Sequence, residues 1–255
     1  MSLNPTLADW RDQRVWLIGA SSGIGEATAR LLMQRGARVA LTSRNRDALH
    51  ALGGGRAHVA VADVTDRAGL AAAFDDICTR LGGIDVAIVN AGTHQPVRAW
   101  DLDAAAAEKL VQVNLTGAMN ATALVAPYFS ARGAGRLAIT ASVAGYGGLP
   151  TGLVYGATKA ALINFAETLY LDLAPKGVAV HLINPGFVKT PLTDLNDFKM
   201  PALISADEAA REILAGIERG AFEIHFPKRF TRVLKLLKLL PYRLYFPLIH
   251  RATGL

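Results

Sequence analysis

The feature that most constrains this chain is its rhythm: short apolar runs alternate with longer segments of helical period. Val15-Trp16-Leu17-Ile18 is the first run. It passes through Gly19-Ala20-Ser21-Ser22-Gly23-Ile24-Gly25 into a helical pattern that keeps Ala27, Leu31 and Leu32 on one face and ends at Gly36. Arg38 to Thr42 forms a second strand. The alternation continues with a strand from Ala57 to Ala62 that closes on Asp63-Val64, a helix to Leu81, and a strand from Ile84 to Val89 that closes on Asn90-Ala91-Gly92. A long helical stretch from about Asp103 to Arg132 follows, then a strand from Arg136 to Ala141 ending at Ser142. After a helix carrying Tyr155 and Lys159, Val178 to Ile183 runs into Asn184-Pro185-Gly186. Strands separated by helices at this spacing pair in parallel, so the fold class is α/β: a doubly wound parallel sheet in one domain. The chain has 255 residues, of which 51% are apolar and 19% charged, which suits one large core.

In sheets of this kind ligands bind beyond the carboxyl ends of the strands. Gly19 to Gly25, Ser43-Arg44, Asp63-Val64 and Asn90 to Gly92 all fall there, so separate strand ends converge on one crevice. A glycine turn leading into a helix lets the backbone approach a pyrophosphate, whose charge is favoured by the free N–H groups and the helix dipole. At the end of the second strand, where a carboxylate would bind the adenosine ribose hydroxyls, the chain has Ser43 and Arg44. An arginine there suits a 2′-phosphate and argues for NADP(H) over NAD(H). Asp63 has two readings, acceptor for the adenine amino group or cap of the helix that starts near Asp66.

Several classes are set aside. The histidines show no ligand spacing, so no metal site is expected. Cys78 stands alone in a helical stretch and reads as a buried small apolar residue. The net charge of +6 is a property of the C-terminus: residues 227 to 255 hold seven basic side chains and no acidic one, leaving 20 basic and 21 acidic elsewhere. No nucleic-acid surface is therefore expected. The first residues lack an apolar run, so no export signal is expected and the cytoplasm, or a cytoplasmic membrane face, is the expected location.

Tyr155 and Lys159 are four apart and project from one helix face. A cation near a phenol stabilises the phenolate and lowers its pKa. Ser142 at its strand end faces the same crevice, although it also suits the glycine-rich turn of Gly145, Gly147 and Gly148. Asn114 lies inside the long helical stretch, where an asparagine is often simply exposed.

In order, Gly19, Gly23 and Gly25, Asn90-Ala91-Gly92, Asn114, Ser142, Tyr155-x-x-x-Lys159 and Pro185-Gly186 make a chain that resembles the short-chain dehydrogenase/reductase family over roughly residues 10 to 226. The resemblance implies a Rossmann sheet of seven parallel strands and hydride transfer between nicotinamide and a carbonyl or secondary alcohol. It assigns Tyr155 as general acid, Lys159 as the group that lowers its pKa and holds the nicotinamide ribose, and Ser142 as the donor to the substrate oxygen. Asn114 would position a water, and Thr190, with Val188 beside it, would face the nicotinamide. Relatives commonly form dimers or tetramers through two long helices, so a homodimer or homotetramer is implied. Two positions depart from the family pattern: Ile18 stands where it usually has threonine, and Val89 where it usually has asparagine. Both put local hydrogen bonding to the cofactor in doubt.

Residues 187 to 204 read as a lid. Phe187, Leu192, Leu195, Phe198, Met200 and Leu203 make it mostly apolar, which fits either a lipid-like, acyl or steroid-like substrate or anchoring of the loop to the core. Ser205-Ala206-Asp207-Glu208 is a capping box opening a helix to about Gly220, and Phe222 to Phe226 gives the last strand. The chain divides into a catalytic domain, 1 to 226, and a basic extension, 227 to 255. If Phe230 to Leu240 is helical, Phe230, Val233, Leu234, Leu236, Leu237 and Leu240 share one face and Thr231, Arg232, Lys235 and Lys238 the other. That pattern fits an interfacial helix on an anionic membrane, or a helix folded on its own core or on a partner subunit. The competing functional class is a non-catalytic NADP(H)-binding sensor or scaffold.

Overall fold

The computed structural model describes residues 2–195 and 200–254. The strands are β1 (Arg14–Ile18), β2 (Arg38–Thr42), β3 (His58–Val59), β4 (Val86–Val89), β5 (Gly135–Thr140), β6 (Val178–Pro185) and β7 (Glu223–Phe226). All six pairings are parallel, in the order β3-β2-β1-β4-β5-β6-β7. Chain order reverses between β1 and β4, where parting connections open a crevice above the sheet. The alternation read from the sequence is present, but β3 is only two residues long; beyond it Ala60 N and Ala62 N still donate to Leu41 O at 3.0 Å and Ser43 O at 3.3 Å, so the chain stays beside β2 as far as the crevice.

Helices α1 (Gly23–Gln34), α2 (Arg46–Gly53), α3 (Arg67–Leu81), α4 (Ala104–Val111), α5 (Gly117–Arg132), α6 (Leu153–Leu173) and α7 (Ala206–Glu218) cover the sheet. One core lies between the sheet and α3, α5 and α6, with Leu70, Ile77, Val125, Phe129, Leu162 and Ala166 buried in it. The other, under α1, α2 and α7, holds Leu32, Leu49, Ile213 and Ile217. Each strand of the centre is therefore apolar on both faces, which is why the runs read as continuous rather than alternating. Local signals place the helix starts: Asn45 accepts from Ala48 N at 3.1 Å, and Ser205 and Glu208 form the reciprocal capping box. Cys78 is half-buried against the first core rather than fully enclosed. The N-terminal segment crosses the base of the sheet, where buried Asn4 donates to Val180 O at 2.8 Å and accepts from Val180 N at 3.1 Å.

The long helical stretch is not continuous α-helix. A π-helical turn, Gln112–Thr116, separates α4 from α5. The turn swings Asn114 inward until it is fully buried, which overturns the exposed reading of a mid-helix asparagine.

The extension forms α8 (Lys228–Lys238) and α9 (Tyr242–Thr253). The face expected to be apolar docks only along one edge. Thr231, read as part of the polar face, is fully buried and accepts or donates with His225 Nδ1 at 2.6 Å, and Lys235 is paired with Glu223. Phe230 and Leu234 pack against the core beside them, while Val233, Leu236 and Leu239 point outward. The polar groups exposed at β7 select the edge of α8 that can satisfy them, because leaving a buried carboxylate or imidazole unpaired costs more than exposing a leucine. Among the described residues no helix is long and apolar enough to cross a membrane.

Candidate active site

A cavity of about 670 Å³ opens over the carboxyl ends of the strands. Its first wall is the turn between β1 and α1, with Gly19, Ser21, Ser22, Gly23 and Ile24. Gly19 has φ +87°, and a Cβ there would meet Ala91 N at 2.5 Å, so the turn closes against the end of β4 only without a side chain. Asn90 Nδ2 donates to Gly19 O at 3.1 Å and fixes that approach. Gly25 is buried behind the turn and does not line the cavity; a Cβ on it would lie 2.0 Å from Gly19 O. Ser22 caps α1 without a side-chain hydrogen bond, leaving the first-turn N–H groups available at the cavity. Ile18 and Val89, the two departures from the family pattern, are buried in the core.

The second wall holds Ser43, Arg44, Asp63 and Val64. Ser43 Oγ accepts from Asn45 N at 3.2 Å. Arg44 is 69% exposed in its side chain, with Nη1 3.7 Å from Asp63 Oδ2. Asp63 accepts from both the N–H and the hydroxyl of Thr65, each at 2.8 Å. Burial acts to raise its pKa, but these bonds and the Arg44 charge hold it below the ordinary carboxylate value. The cap of α3 is Asp66, which accepts from Ala68 N at 3.1 Å, so the capping alternative for Asp63 falls. Asn120 Nδ2 donates to Val64 O at 2.9 Å and pins this loop to α5.

At the third wall, Asn90, Ala91 and Gly92 from β4, Ser142 after β5, Tyr155 and Lys159 from α6, and Pro185, Gly186, Val188 and Thr190 after β6 come together. Ser142 Oγ donates to Pro185 O at 3.3 Å and accepts from Ala144 N at 3.2 Å. Lys159 is buried, its Nζ donates to Thr140 O at 3.0 Å and lies 5.6 Å from the centre of the Tyr155 ring. Burial pushes the Lys159 pKa down to about 8. Burial also pushes the Tyr155 phenol up, and a hydrogen bond with Ser142 offsets part of that. In this arrangement desolvation is the largest influence on the phenol, and the Lys159 ammonium is turned to the Thr140 carbonyl.

Asn114 sits behind this wall rather than in it. Its Oδ1 accepts from Thr93 N at 2.7 Å, and its Nδ2 donates to Thr93 O at 2.9 Å and to Thr158 Oγ1 at 3.3 Å. The side chain thus clamps the segment after Gly92 to α6. Among the cavity residues not singled out in the sequence, two bear on the chemistry. His94 packs edge-on against Tyr155, with ring centres 4.6 Å apart, and its signal was its place just beyond Gly92 at a strand end. Thr140 Oγ1 is buried with no hydrogen-bond partner among the described residues, and no spacing in the sequence announces it. Among the described residues no cluster of His, Cys, Asp or Glu is arranged for a metal.

The lid divides. Leu192 lines the cavity, whereas the Phe187 ring packs at a tilt against Phe230 of α8, centres 5.4 Å apart, and Leu203 is exposed. Phe187 is thus an anchor to the extension; Phe198 and the Leu195 side chain lie outside the described residues.

A glycine cradle at a helix N-terminus, a crevice at the strand-order reversal and an orphaned hydroxyl beside a buried lysine define a dinucleotide-binding oxidoreductase of Rossmann type, and the residues fit a nicotinamide cofactor. Residues 13–199 match the family described as short chain dehydrogenase. An uncharacterized oxidoreductase of Myxococcus xanthus is 33% identical over 245 residues, covering 94% of this chain and 97% of that protein. The 2-dehydro-3-deoxy-L-rhamnonate dehydrogenase (NAD(+)) of a Sphingomonas species is 35% identical over 179 residues, 69% of this chain and 72% of that one. The solved short-chain dehydrogenase of Sphingobium yanoikuyae in complex with NADPH superposes with a TM-score of 0.78 at 27% identity, covering 90% of this chain and 97% of that chain. The chain belongs to the short-chain dehydrogenase family and is an NAD(P)-dependent oxidoreductase of the kind that acts on alcohol or carbonyl groups.

Proposed function

We propose that the protein is an NADP(H)-dependent reductase or dehydrogenase of an apolar ketone or secondary alcohol, with Tyr155, Ser142, Lys159 and Asn114 as its working set. The observation that carries the reading is the convergence of Ser142, Tyr155 and Lys159 on one cavity wall opposite the glycine turn. The cofactor, when bound, supplies or accepts the hydride. As negative charge grows on the substrate oxygen, Ser142 Oγ donates to it and Tyr155 delivers the proton. Lys159 holds the ribose, and its approach to a charged phenolate offsets the desolvation that otherwise raises Tyr155. Asn114 keeps the wall in place through Thr93 and Thr158. The first-turn N–H groups of α1 and Ser21-Ser22 would hold the pyrophosphate, and Thr190 and Val188, which line the same cavity, would hold the nicotinamide end.

Arg44 supports NADP(H): it lines the cavity, its side chain is largely exposed, and its Nη1 lies 3.7 Å from Asp63 on the same wall. One relative is named for NAD(+) and one solved relative holds NADPH, so Arg44 is the discriminating feature. The apolar substrate is supported by Leu192 and Val113 on the cavity wall. Tyr155→Phe tests the mechanism: NADPH oxidation over a panel of ketones of rising chain length falls about 10²- to 10⁴-fold while NADPH binding is kept. Turnover undiminished in Tyr155→Phe refutes it.

The outward face of α8 and α9 extends this proposal. Val233, Leu236, Leu239, Tyr242 and Phe246 are 53, 65, 79, 75 and 54% exposed, among cations that include Arg232, Lys238 and Arg243. Apolar side chains ringed by positive charge, with no carboxylate in the segment, complement an anionic bilayer. Vesicles containing phosphatidylserine are expected to co-sediment the protein and neutral vesicles to leave it in solution, with Leu236→Asp abolishing the effect. A concentration-dependent dimer lost in the same variant, without vesicle binding, would assign the face to a second copy. A homodimer or homotetramer through α5 and α6 is a separate part of the reading, supported by exposed Met119 and Leu171 on those helices.

A further inference from the structure

A single carboxylate outside the cavity gathers three donors. Glu223, at the start of β7, accepts the Tyr146 hydroxyl at 2.5 Å and Asn184 Nδ2 at 2.8 Å on Oε1, and Lys235 of α8 on Oε2. Its side chain is 24% exposed, and Tyr146 is buried. Two of the donors belong to the segments that shape the site. Tyr146 closes the turn that begins at Ser142, with Gly145 N donating to Ser142 O and Tyr146 N to Val143 O, both at 3.0 Å. Asn184 immediately precedes Pro185, whose carbonyl accepts the Ser142 hydroxyl, and Gly186, whose N–H bonds Phe226 O at 2.7 Å. The turn that carries Ser142 and the strand end that accepts its hydroxyl are thus both tied to one side chain, and the third tie comes from the extension. Apolar replacement of a buried ion pair is often neutral for stability, so stability alone does not require this network. A buried polar network fixes relative position, and here the Glu223 carboxylate meets all three donors while Asn184 Oδ1 has no hydrogen-bond partner among the described residues.

We propose that Glu223 is a positioning residue: by holding Tyr146 and Asn184 it sets the place of the Ser142 hydroxyl against the substrate oxygen, and Lys235 makes α8 part of that support. The inference rests on the reading of Ser142 as donor to the substrate oxygen. A carboxyl oxygen that accepts two bonds at once orients both loops from a single point. Loss of that point lets the Ser142 turn and the Pro185 strand end move independently, while the cofactor cradle at α1 is untouched.

The test compares Glu223→Leu, Glu223→Gln, Tyr146→Phe and Ser142→Ala in the full chain, with NADPH and the best ketone of the panel. Glu223→Leu, which removes the acceptor, is expected to lower kcat about 10- to 100-fold with KM for NADPH unchanged, the range produced by misplacement from a distance. Glu223→Gln keeps an oxygen for Tyr146 and Asn184 and is expected to recover most of that loss. Tyr146→Phe covers the case in which Glu223→Leu does not fold, and should lower kcat in the parent but add nothing in the Ser142→Ala background. Folded Glu223→Leu, or Tyr146→Phe, with parental kcat overturns the proposal, as does a Tyr146→Phe loss that adds fully to that of Ser142→Ala. Undiminished kcat in Ser142→Ala is a different result, because it overturns the reading of Ser142 itself.

Discussion

Lys159 offers a test that needs neither substrate nor cofactor. Its ammonium is buried, 4% exposed, and its pKa is pushed down to about 8 by that burial from the ordinary 10.5. Below about pH 8 the lysine is charged in both the folded and the unfolded chain, and the folded state bears the full cost of a buried cation. Between about pH 8 and 10.5 the folded state has released the proton while the unfolded chain still holds it. The unfolded state then binds more protons, so stability rises with pH through this window. The whole difference is worth about 3 kcal/mol, of which about 2 kcal/mol is recovered between pH 7 and 9.5. Lys159→Met removes the titrating group and fills a similar space. Urea unfolding, followed by the fluorescence of buried Trp16, should therefore show the parent gaining about 2 kcal/mol relative to Lys159→Met over that pH interval. Equal pH dependence in the two proteins would refute the assignment of a buried, destabilising cation. The protein keeps a charge that costs it stability at neutral pH, as expected where binding needs that charge.

Two further outcomes are expected. Arg44→Ala should raise KM for NADPH about 5- to 30-fold and leave KM for NADH unchanged, since one partly exposed charge-assisted contact is lost; parallel changes with both cofactors would deny Arg44 a role in the choice. Gly25→Ala places a methyl 2.0 Å from Gly19 O, so the turn must shift, with a stability loss of about 1–3 kcal/mol and weaker NADPH binding read by fluorescence titration. Unaltered binding would show that the turn yields without cost.

Much of the fold is legible in the chain because the two regular backbone periods write themselves directly into residue order. Short continuous apolar runs such as Val15 to Ile18, bounded by a glycine turn, read as strands covered on both sides, and their alternation with helices makes the sheet parallel. Once that is known, the strand ends bearing Gly19, Asn90, Ser142 and Pro185 have to meet above the sheet, and they line one cavity. The capping box at Ser205 is equally local.

What the tertiary structure decided concerns partners far apart in sequence. The π turn that buries Asn114 is matched to the backbone of Thr93, which helical periodicity does not report. The edge of α8 that docks is chosen by Glu223 and His225 on β7, so Thr231 and Lys235 turn inward beside Phe230 and Leu234 while Val233 and Leu236 turn outward, a split of the apolar face that amphipathicity does not report. Arg44 meets Asp63 across two strand ends, and Phe187 meets Phe230 across the lid and the extension. Burial raises the Tyr155 phenol, and the Lys159 ammonium four residues on donates to the Thr140 carbonyl, a partner that helix spacing does not name. Sequence alone determined the sheet, the crevice and the family, since these follow from local period and chain order. Orientation, burial and proton affinity were left to the folded chain, since each depends on which distant groups share a low-dielectric space.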